Sequence, residues 1–220
     1  IKYLEKENDD YDKKTSHTKE FQDKIFKEIK NRIKEDDKSV PYFLNGYWYI
    51  TKFKKDKDYP IYVRKKETLD SKEQILFDCN FLAKNYNFFN LSNIKISPDN
   101  KLAAYSIDTV SRRLYTIKIK NLETGEFLND CIDNTSGNFA WGNDNTTLFY
   151  TNRDSETLRN DKIYKHVLGT NSKDDELVFH EKDNTFYTNV SKSKSNKFIV
   201  IASYSTLTSE FQFLNADNPH

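Results

Sequence analysis

The sequence predicts a mainly β protein, a partial β-propeller of about three to four four-stranded blades preceded by an N-terminal α-helix. Apolar residues recur every four positions near the N-terminus, and alternate with period two from residue 42 onward. A polar turn between short apolar strands then recurs at a spacing of roughly 40 to 50 residues. We therefore divide the chain into a helical segment, 1–38, and an incomplete propeller, 42–220.

Composition limits the classes of partner. Aromatic residues make up 15% of the 220 residues, so the chain is expected to fold although 31% of it is charged. The formal net charge is only +1, which provides no broad field for nucleic acid or an anionic membrane surface. No apolar run approaches the roughly 20 residues that a membrane-spanning helix needs. We expect neither nucleic acid nor membrane as a partner.

The N-terminal segment is predicted to be an amphipathic helix. Its apolar stripe requires a surface on which to dock, because Lys, Glu and Gln occupy most of the other positions. Pro41 and the acidic run at 35–37 end the helical pattern, since proline restricts the residue before it. The predicted docking face consists of Phe21, Ile25, Ile29 and Ile33.

Strand-rich units follow. Residues 47–53 and 61–63 predict a hairpin, and turns anchored at Ser97, Gly142 and Ser191 lie 45 and 49 residues apart. Each turn alone could join any two antiparallel strands. A propeller must also close, so we expect the complete domain to need chain beyond residue 220. The predicted blade-like units lie near 42–80, 94–133, 138–182 and 189–216.

The motifs of catalysis are missing from the sequence. Its five glycines form neither Gly-x-Ser-x-Gly nor Gly-x-Gly-x-x-Gly, and no carboxylate pair is suited to acid and base roles. We predict no catalytic residue, no cofactor and no metal site, and expect the histidines to be exposed or hydrogen-bonded. They are dispersed along the chain, at positions 17, 166, 180 and 220.

One basic element stands out, the Ser-Arg-Arg turn at 111–113. Arg112 or Arg113 could form a bidentate pair with a carboxylate on a facing domain, or could be ordinary charges on an exposed turn.

The cysteines bear on location. Cys79 and Cys131 lie in strand-like stretches and are expected to be buried, reduced thiols, which favours a cytoplasmic location. The sequence contains no Met, so we expect it to be a piece of a longer protein, whose signal peptide could lie outside it.

Ordered blocks over the whole chain resemble the N-terminal part of the oligopeptidase B branch of the prolyl oligopeptidase family of serine peptidases. Because they occur in the same order, they are more specific than any single motif. They are residues 27–33, Asn-Gly-Tyr-Trp-Tyr at 45–49, 59–62, Ile-Ser-Pro-Asp-Asn at 96–100, Ser-Arg-Arg at 111–113, Asn-Leu-Glu-Thr-Gly at 121–125, 183–187 and 207–210.

The resemblance implies a propeller that gates a C-terminal α/β-hydrolase domain beyond this chain, whose Ser, Asp and His cleave short peptides after Arg or Lys. The propeller would exclude folded proteins and admit short basic peptides when the domains part. The helical stripe would run along the hydrolase domain, and Arg113, with Arg112 beside it, would contact that domain. A carboxylate of the family is replaced here by Asn87, which leaves the arginine's partner open.

Two alternatives remain. A stand-alone propeller could serve as a protein-binding scaffold, since one fold hosts many functions. A relative that has lost its nucleophile could keep the gate alone. Whether this fragment is itself an enzyme stays open, although the parent resembles a serine-type oligopeptidase. The downstream reading frame separates the scaffold from the peptidase, because only a peptidase needs Gly-x-Ser-x-Gly there.

Overall fold

A computed structural model describes residues 1–219 of the chain. It begins with two helices, α1 (Lys2–Thr15) and α2 (Lys19–Asn31), joined by a 3₁₀ turn. Phe21, Ile25 and Ile29 lie on α2, but the prediction that Ile33 belongs to the same helix is wrong. The N–H of Ile33 bonds the carbonyl of Lys30, so the chain tightens into a short turn after α2 ends.

The first sheet is antiparallel and contains the predicted hairpin, whose strands pair Ile50 with Val63. A short helix, α3 (Cys79–Leu82), follows its last strand and is capped by the Asp78 carboxylate, which accepts from two backbone N–H groups. The strands are β1 (Asp37–Lys38), β2 (Tyr42–Leu44), β3 (Tyr47–Phe53), β4 (Ile61–Lys66) and β5 (Glu73–Asp78).

The second sheet has seven strands in sequential order because one long strand, β9, runs through its middle. The first half of β9 pairs with β8 and the second half with β10. Asn134 and Gly137 adopt positive φ between the halves, which redirects the chain. The strands are β6 (Asn90–Ile96), β7 (Leu102–Asp108), β8 (Tyr115–Asn121), β9 (Phe127–Trp141), β10 (Thr147–Asn152), β11 (Lys162–Val167) and β12 (Glu176–His180).

The third sheet comprises β13 (Tyr187–Lys192), β14 (Phe198–Tyr204) and β15 (Ser209–Asn215). The prediction that Ser191 anchors the first turn of this sheet is wrong, because Ser193 takes that position. The N–H groups of Ser97 and Gly142 each donate to the backbone carbonyl of the first residue of the following strand. The N–H of Ser193 donates to the carbonyl of Phe198 in the same way, whereas Ser191 lies inside β13. The unit boundaries drawn from the sequence stay a prediction.

Apolar side chains fill the spaces between successive sheets. One cluster joins the first sheet to the β6–β9 half of the second, with Phe77 against Tyr105. Another, which includes Ile117 and Phe139, packs the two halves of the second sheet together. A third joins the β9–β12 half to the third sheet through Phe149 and Ile199. The strands therefore stack as successive layers around an inner space, as in a propeller.

The two cysteines differ from the prediction. Cys79 is buried but begins α3, and Cys131 is exposed on β9; both are free thiols. Within residues 1–219, none of the helices combines the length and the apolar character needed to cross a bilayer.

Candidate functional site

Three loops lie side by side at one end of the stacked sheets, because the middle loop bonds both of the others. Arg153 donates to the carbonyl of Arg113, and Arg159 donates to that of Phe186. The first two loops join antiparallel neighbours, β7 to β8 and β10 to β11, whereas the third leads from β12 into the third sheet. We call this end the loop face. It consists of the loops at 109–114, 153–161 and 181–186.

The arginine turn is held from inside by Asp108. Its buried carboxylate accepts from the N–H groups of Val110 (2.9 Å), Ser111 (2.9 Å) and Arg113 (2.8 Å). Ser111 and Arg113 have φ of 63° and 58°, a left-handed conformation that non-glycine residues adopt at a cost. The side chains of Arg112 and Arg113 are exposed and pair with no described residue. The turn therefore presents two free guanidinium groups.

Arg153 ties this turn to the next loop. Its Nη1 donates to the carbonyl of Arg113 (2.9 Å) and its Nε to the Oδ1 of Asn160 (2.8 Å). Burial lowers the pKa of Arg153, with the Arg113 charge adding to the effect and Tyr115 opposing it. Arg153 therefore supports the backbone of the arginine turn.

Arg159 connects the second loop with the third. Its guanidinium donates to the carbonyls of Phe186 (3.1 Å), Glu181 (3.2 Å) and Asp183, and lies 3.9 Å from the Asp161 carboxylate. The three loops thus form one hydrogen-bonded chain, which gives the loop face a defined shape.

A second feature is an inner cavity of about 670 Å³. Strands β2 to β6, β9 and β13 contribute to its wall, and Lys95 and Lys192 are the only Lys or Arg in its described lining. The ammonium of Lys95 donates to the carbonyl of Phe139 (2.5 Å), and the indole N–H of Trp141 donates back to the carbonyl of Lys95 (2.8 Å). These bonds join the inner strands of two neighbouring layers.

The supporting residues were not apparent from the sequence. The role of Asp108 could have been predicted, because an Asp at the end of a strand and before a polar turn favours hydrogen bonds to nearby backbone N–H groups. The role of Arg153 could not have been predicted from a local pattern, because its contact with Arg113 spans 40 positions. Asn87, which the resemblance predicts to replace a carboxylate of the family, is exposed before β6.

The histidines provide no metal site in the described residues. His166 is wholly buried and lies between the carboxylates of Asp130 (3.1 Å) and Asp175 (2.7 Å), as a hydrogen-bonded histidine. His17 is exposed, His180 lies 3.5 Å from the carboxylate of Asp161, and His220 is outside the described residues.

Comparison with known proteins places this architecture in a family. The model of the prolyl oligopeptidase N-terminal β-propeller domain matches residues 1–220. The chain belongs to this family. The mainly β fold, with part of a propeller after an N-terminal helix, is thereby confirmed.

The propeller domain has relatives of greater length. It is 39% identical to dipeptidyl aminopeptidase BI of Pseudoxanthomonas mexicana and 34% identical to protease 2 of Moraxella lacunata, in each case over 100% of this chain. Oligopeptidase B from Leishmania major superimposes over 100% of the chain with a TM-score of 0.91 at 30% identity. The chain spans 32%, 33% and 31% of these three proteins, about a third of their length.

Proposed function

We propose that this propeller domain is the substrate gate of a serine oligopeptidase that cleaves short peptides after Arg or Lys. The partner is a C-terminal α/β-hydrolase domain that carries the catalytic Ser, Asp and His outside these residues. Support comes from the family of the chain and from relatives that are named as peptidases. The free thiols Cys79 and Cys131 favour a cytoplasmic location.

The arginine turn carries the proposal of a domain contact. Arg113 is exposed and without an internal partner, yet its backbone is fixed by Asp108 and Arg153. Each of the two left-handed residues lowers the free energy of unfolding by about 1–3 kcal/mol, so the shape of the turn is maintained at a cost in stability. A planar guanidinium held in this way suits bidentate pairing with a carboxylate of the facing domain. We assign Arg113 to this contact and Arg112 to its flank.

The helical segment supports the same arrangement. Phe21, Ile25 and Ile29 on α2 are 64%, 40% and 57% exposed, and the described residues contain no surface that covers them. Ile33 continues this apolar surface after the helix ends and is 63% exposed. We propose that the stripe docks on the hydrolase domain.

The test uses the full-length protein with chromogenic peptides that end in Arg, Lys or Ala before the reporter. We expect hydrolysis after Arg and Lys, whereas a folded protein with accessible Arg residues is spared. The chain by itself is expected to hydrolyse none of them. Absence of Arg- and Lys-directed hydrolysis by pure full-length protein would overturn the proposal.

Two matched variants test the domain contact. Arg113→Ala should lower kcat/KM for a short Arg peptide about tenfold, the effect of losing about 1.4 kcal/mol of transition-state stabilisation. Arg112→Ala should change it by less than about twofold, because a rim charge contributes little. Equal effects of the two variants would contradict the assignment of Arg113.

A further inference from the structure

Lys95 is a partly buried cation without an anion. It lies on β6, at the wall of the inner cavity, and its ammonium has the Phe139 carbonyl as its one hydrogen-bond acceptor. No carboxylate lies within ion-pair distance of it in the part of the chain that the structure describes. Burial accordingly lowers the pKa of Lys95. An unpaired cation in such a place is costly, and an anion would relieve that cost.

The cavity wall adds a second cation. The ammonium of Lys192 donates to Asn143 Oδ1 (2.5 Å). Burial lowers the pKa of Lys192, and Asp217 and Asp144 oppose that shift. Both carboxylates are already engaged, Asp217 by Asn143 and Asp144 by two threonines, and neither lines the cavity. The described lining contains no Asp or Glu at all, so the wall favours a negative group.

Chemistry and size fit a small peptide. An ammonium group has three N–H donors, and each of these lysines uses one on a protein acceptor. A volume of about 670 Å³ lies within the range of small-ligand sites. Amide and hydroxyl side chains, including Asn100, Asn196 and Ser191, share the wall and can bond peptide groups.

We propose that Lys95, assisted by Lys192, forms a subsite in the inner cavity for the free C-terminal carboxylate of a short peptide. The inference rests on the proposed function, because it assumes that peptides enter the propeller. A substrate cleaved after Arg or Lys carries a positive charge that this wall repels. The wall therefore turns the carboxylate end of the substrate toward itself and the basic side chain away.

Calorimetric titration of the full-length protein tests the subsite. The probes are N-acetyl-trialanine, its C-terminal amide, and the amide of N-acetyl-Ala-Glu-Ala; they lack Arg and Lys, and mass spectrometry confirms that they stay intact. We expect the free acid to bind about tenfold more tightly than either amide, as a charge-assisted hydrogen bond predicts. The preference should weaken as salt is raised.

Variants assign the preference to Lys95. Lys95→Gln keeps a donor for Phe139 but removes the charge, and should abolish the preference; Lys95→Arg should retain it. Lys101→Gln, at an exposed turn, is the matched control and should bind like the wild type. A preference that survives Lys95→Gln overturns the proposal.

The wild-type protein alone also decides the matter if Lys95→Gln does not fold. Equal affinity for the acid and its amide overturns the subsite. Equal affinity for the acid and the Glu-containing amide overturns the assignment to the C-terminus. The proposed peptidase function is judged separately, by hydrolysis of Arg and Lys peptides. If the protein prefers the free acid but hydrolyses none of the peptides, the subsite is supported and the proposed peptidase function is refuted.

Discussion

Three buried or half-buried cations of this chain donate to backbone carbonyls of a neighbouring layer. Lys120 reaches the carbonyl of Leu76 (2.7 Å), Arg64 that of Asn100 (3.1 Å) and Lys95 that of Phe139. Each bond spans 36 residues or more. Since a charged donor makes a stronger bond than a neutral one, these side chains help to fix the spacing of the layers.

Asp108 gives a prediction at the residue scale. Asp108→Ala removes the acceptor of three backbone N–H groups in the arginine turn, a loss of about 1–3 kcal/mol where those groups stay unsatisfied. Hydrogen exchange in 109–114 of the full-length protein should therefore become faster. Asp133→Ala is the control, because that exposed carboxylate accepts one hydroxyl, from Thr116. Unchanged exchange in Asp108→Ala would show that the carboxylate does not hold the turn.

The cysteines give a second prediction at this scale. Burial raises the pKa of the Cys79 thiol to about 12, with Asp78 adding to the shift, and the residue is 1% exposed. Because the thiolate is the reactive form, iodoacetamide at pH 8 should modify Cys131, which is exposed, and leave Cys79 intact. Both should react after denaturation. Peptide mapping by mass spectrometry is the measurement, and modification of native Cys79 at the rate of Cys131 would contradict the burial.

Among the elements, β9 shows what the sequence could and could not predict. Period-two patterns located the strands on either side of it, because alternation reports directly which face is buried. The polar residues between 133 and 138, where the sequence predicts a boundary between two units, lie within this strand, which changes direction at Asn134 and Gly137. The helical period failed similarly at Ile33, where the spacing of apolar residues persists but the helix ends. The spacing of apolar residues alone therefore predicts neither the bend within β9 nor the end of α2.

Gly137 tests this interpretation of β9. An added Cβ would lie 3.0 Å from Tyr115 Cγ and 3.2 Å from Ser106 Oγ, at a φ of +85°. Gly169 has nearly the same φ, +84°, but nothing lies within 4 Å of its added Cβ. Gly137→Ala should therefore lower the free energy of unfolding by about 1–3 kcal/mol more than Gly169→Ala, the usual cost of overpacking. Chemical denaturation of the full-length proteins measures the difference, and equal losses would mean that the neighbours of Gly137 move aside freely.

For the whole molecule, the two ends of the stacked layers differ. At the end opposite the loop face, successive turns bond one another: Asn100 to Asn45 (3.1 Å), Asp99 to Asn145 (2.8 Å) and Asn143 to Asn196 (2.9 Å). The loop face instead presents the free guanidinium groups of its arginine turn. Hydrogen bonds tie the layers at both ends, and the unpaired guanidinium groups favour contact with a carboxylate of a facing domain at the loop face.

The apolar stripe of α2 provides the prediction for the assembled protein. If Phe21 and Ile25 dock on the hydrolase domain, each buries a side chain worth about 1.5–3 kcal/mol. The double variant Phe21→Ser and Ile25→Ser should then lower the thermal midpoint of the full-length protein and speed cleavage within residues 1–38 by proteinase K, a protease that does not depend on Lys or Arg. Asp23→Ser with Lys27→Ser is the control, since it lies on the opposite side of α2 and leaves the net charge unchanged. If both double variants unfold and are cleaved alike, the stripe has no partner and the helical segment does not dock.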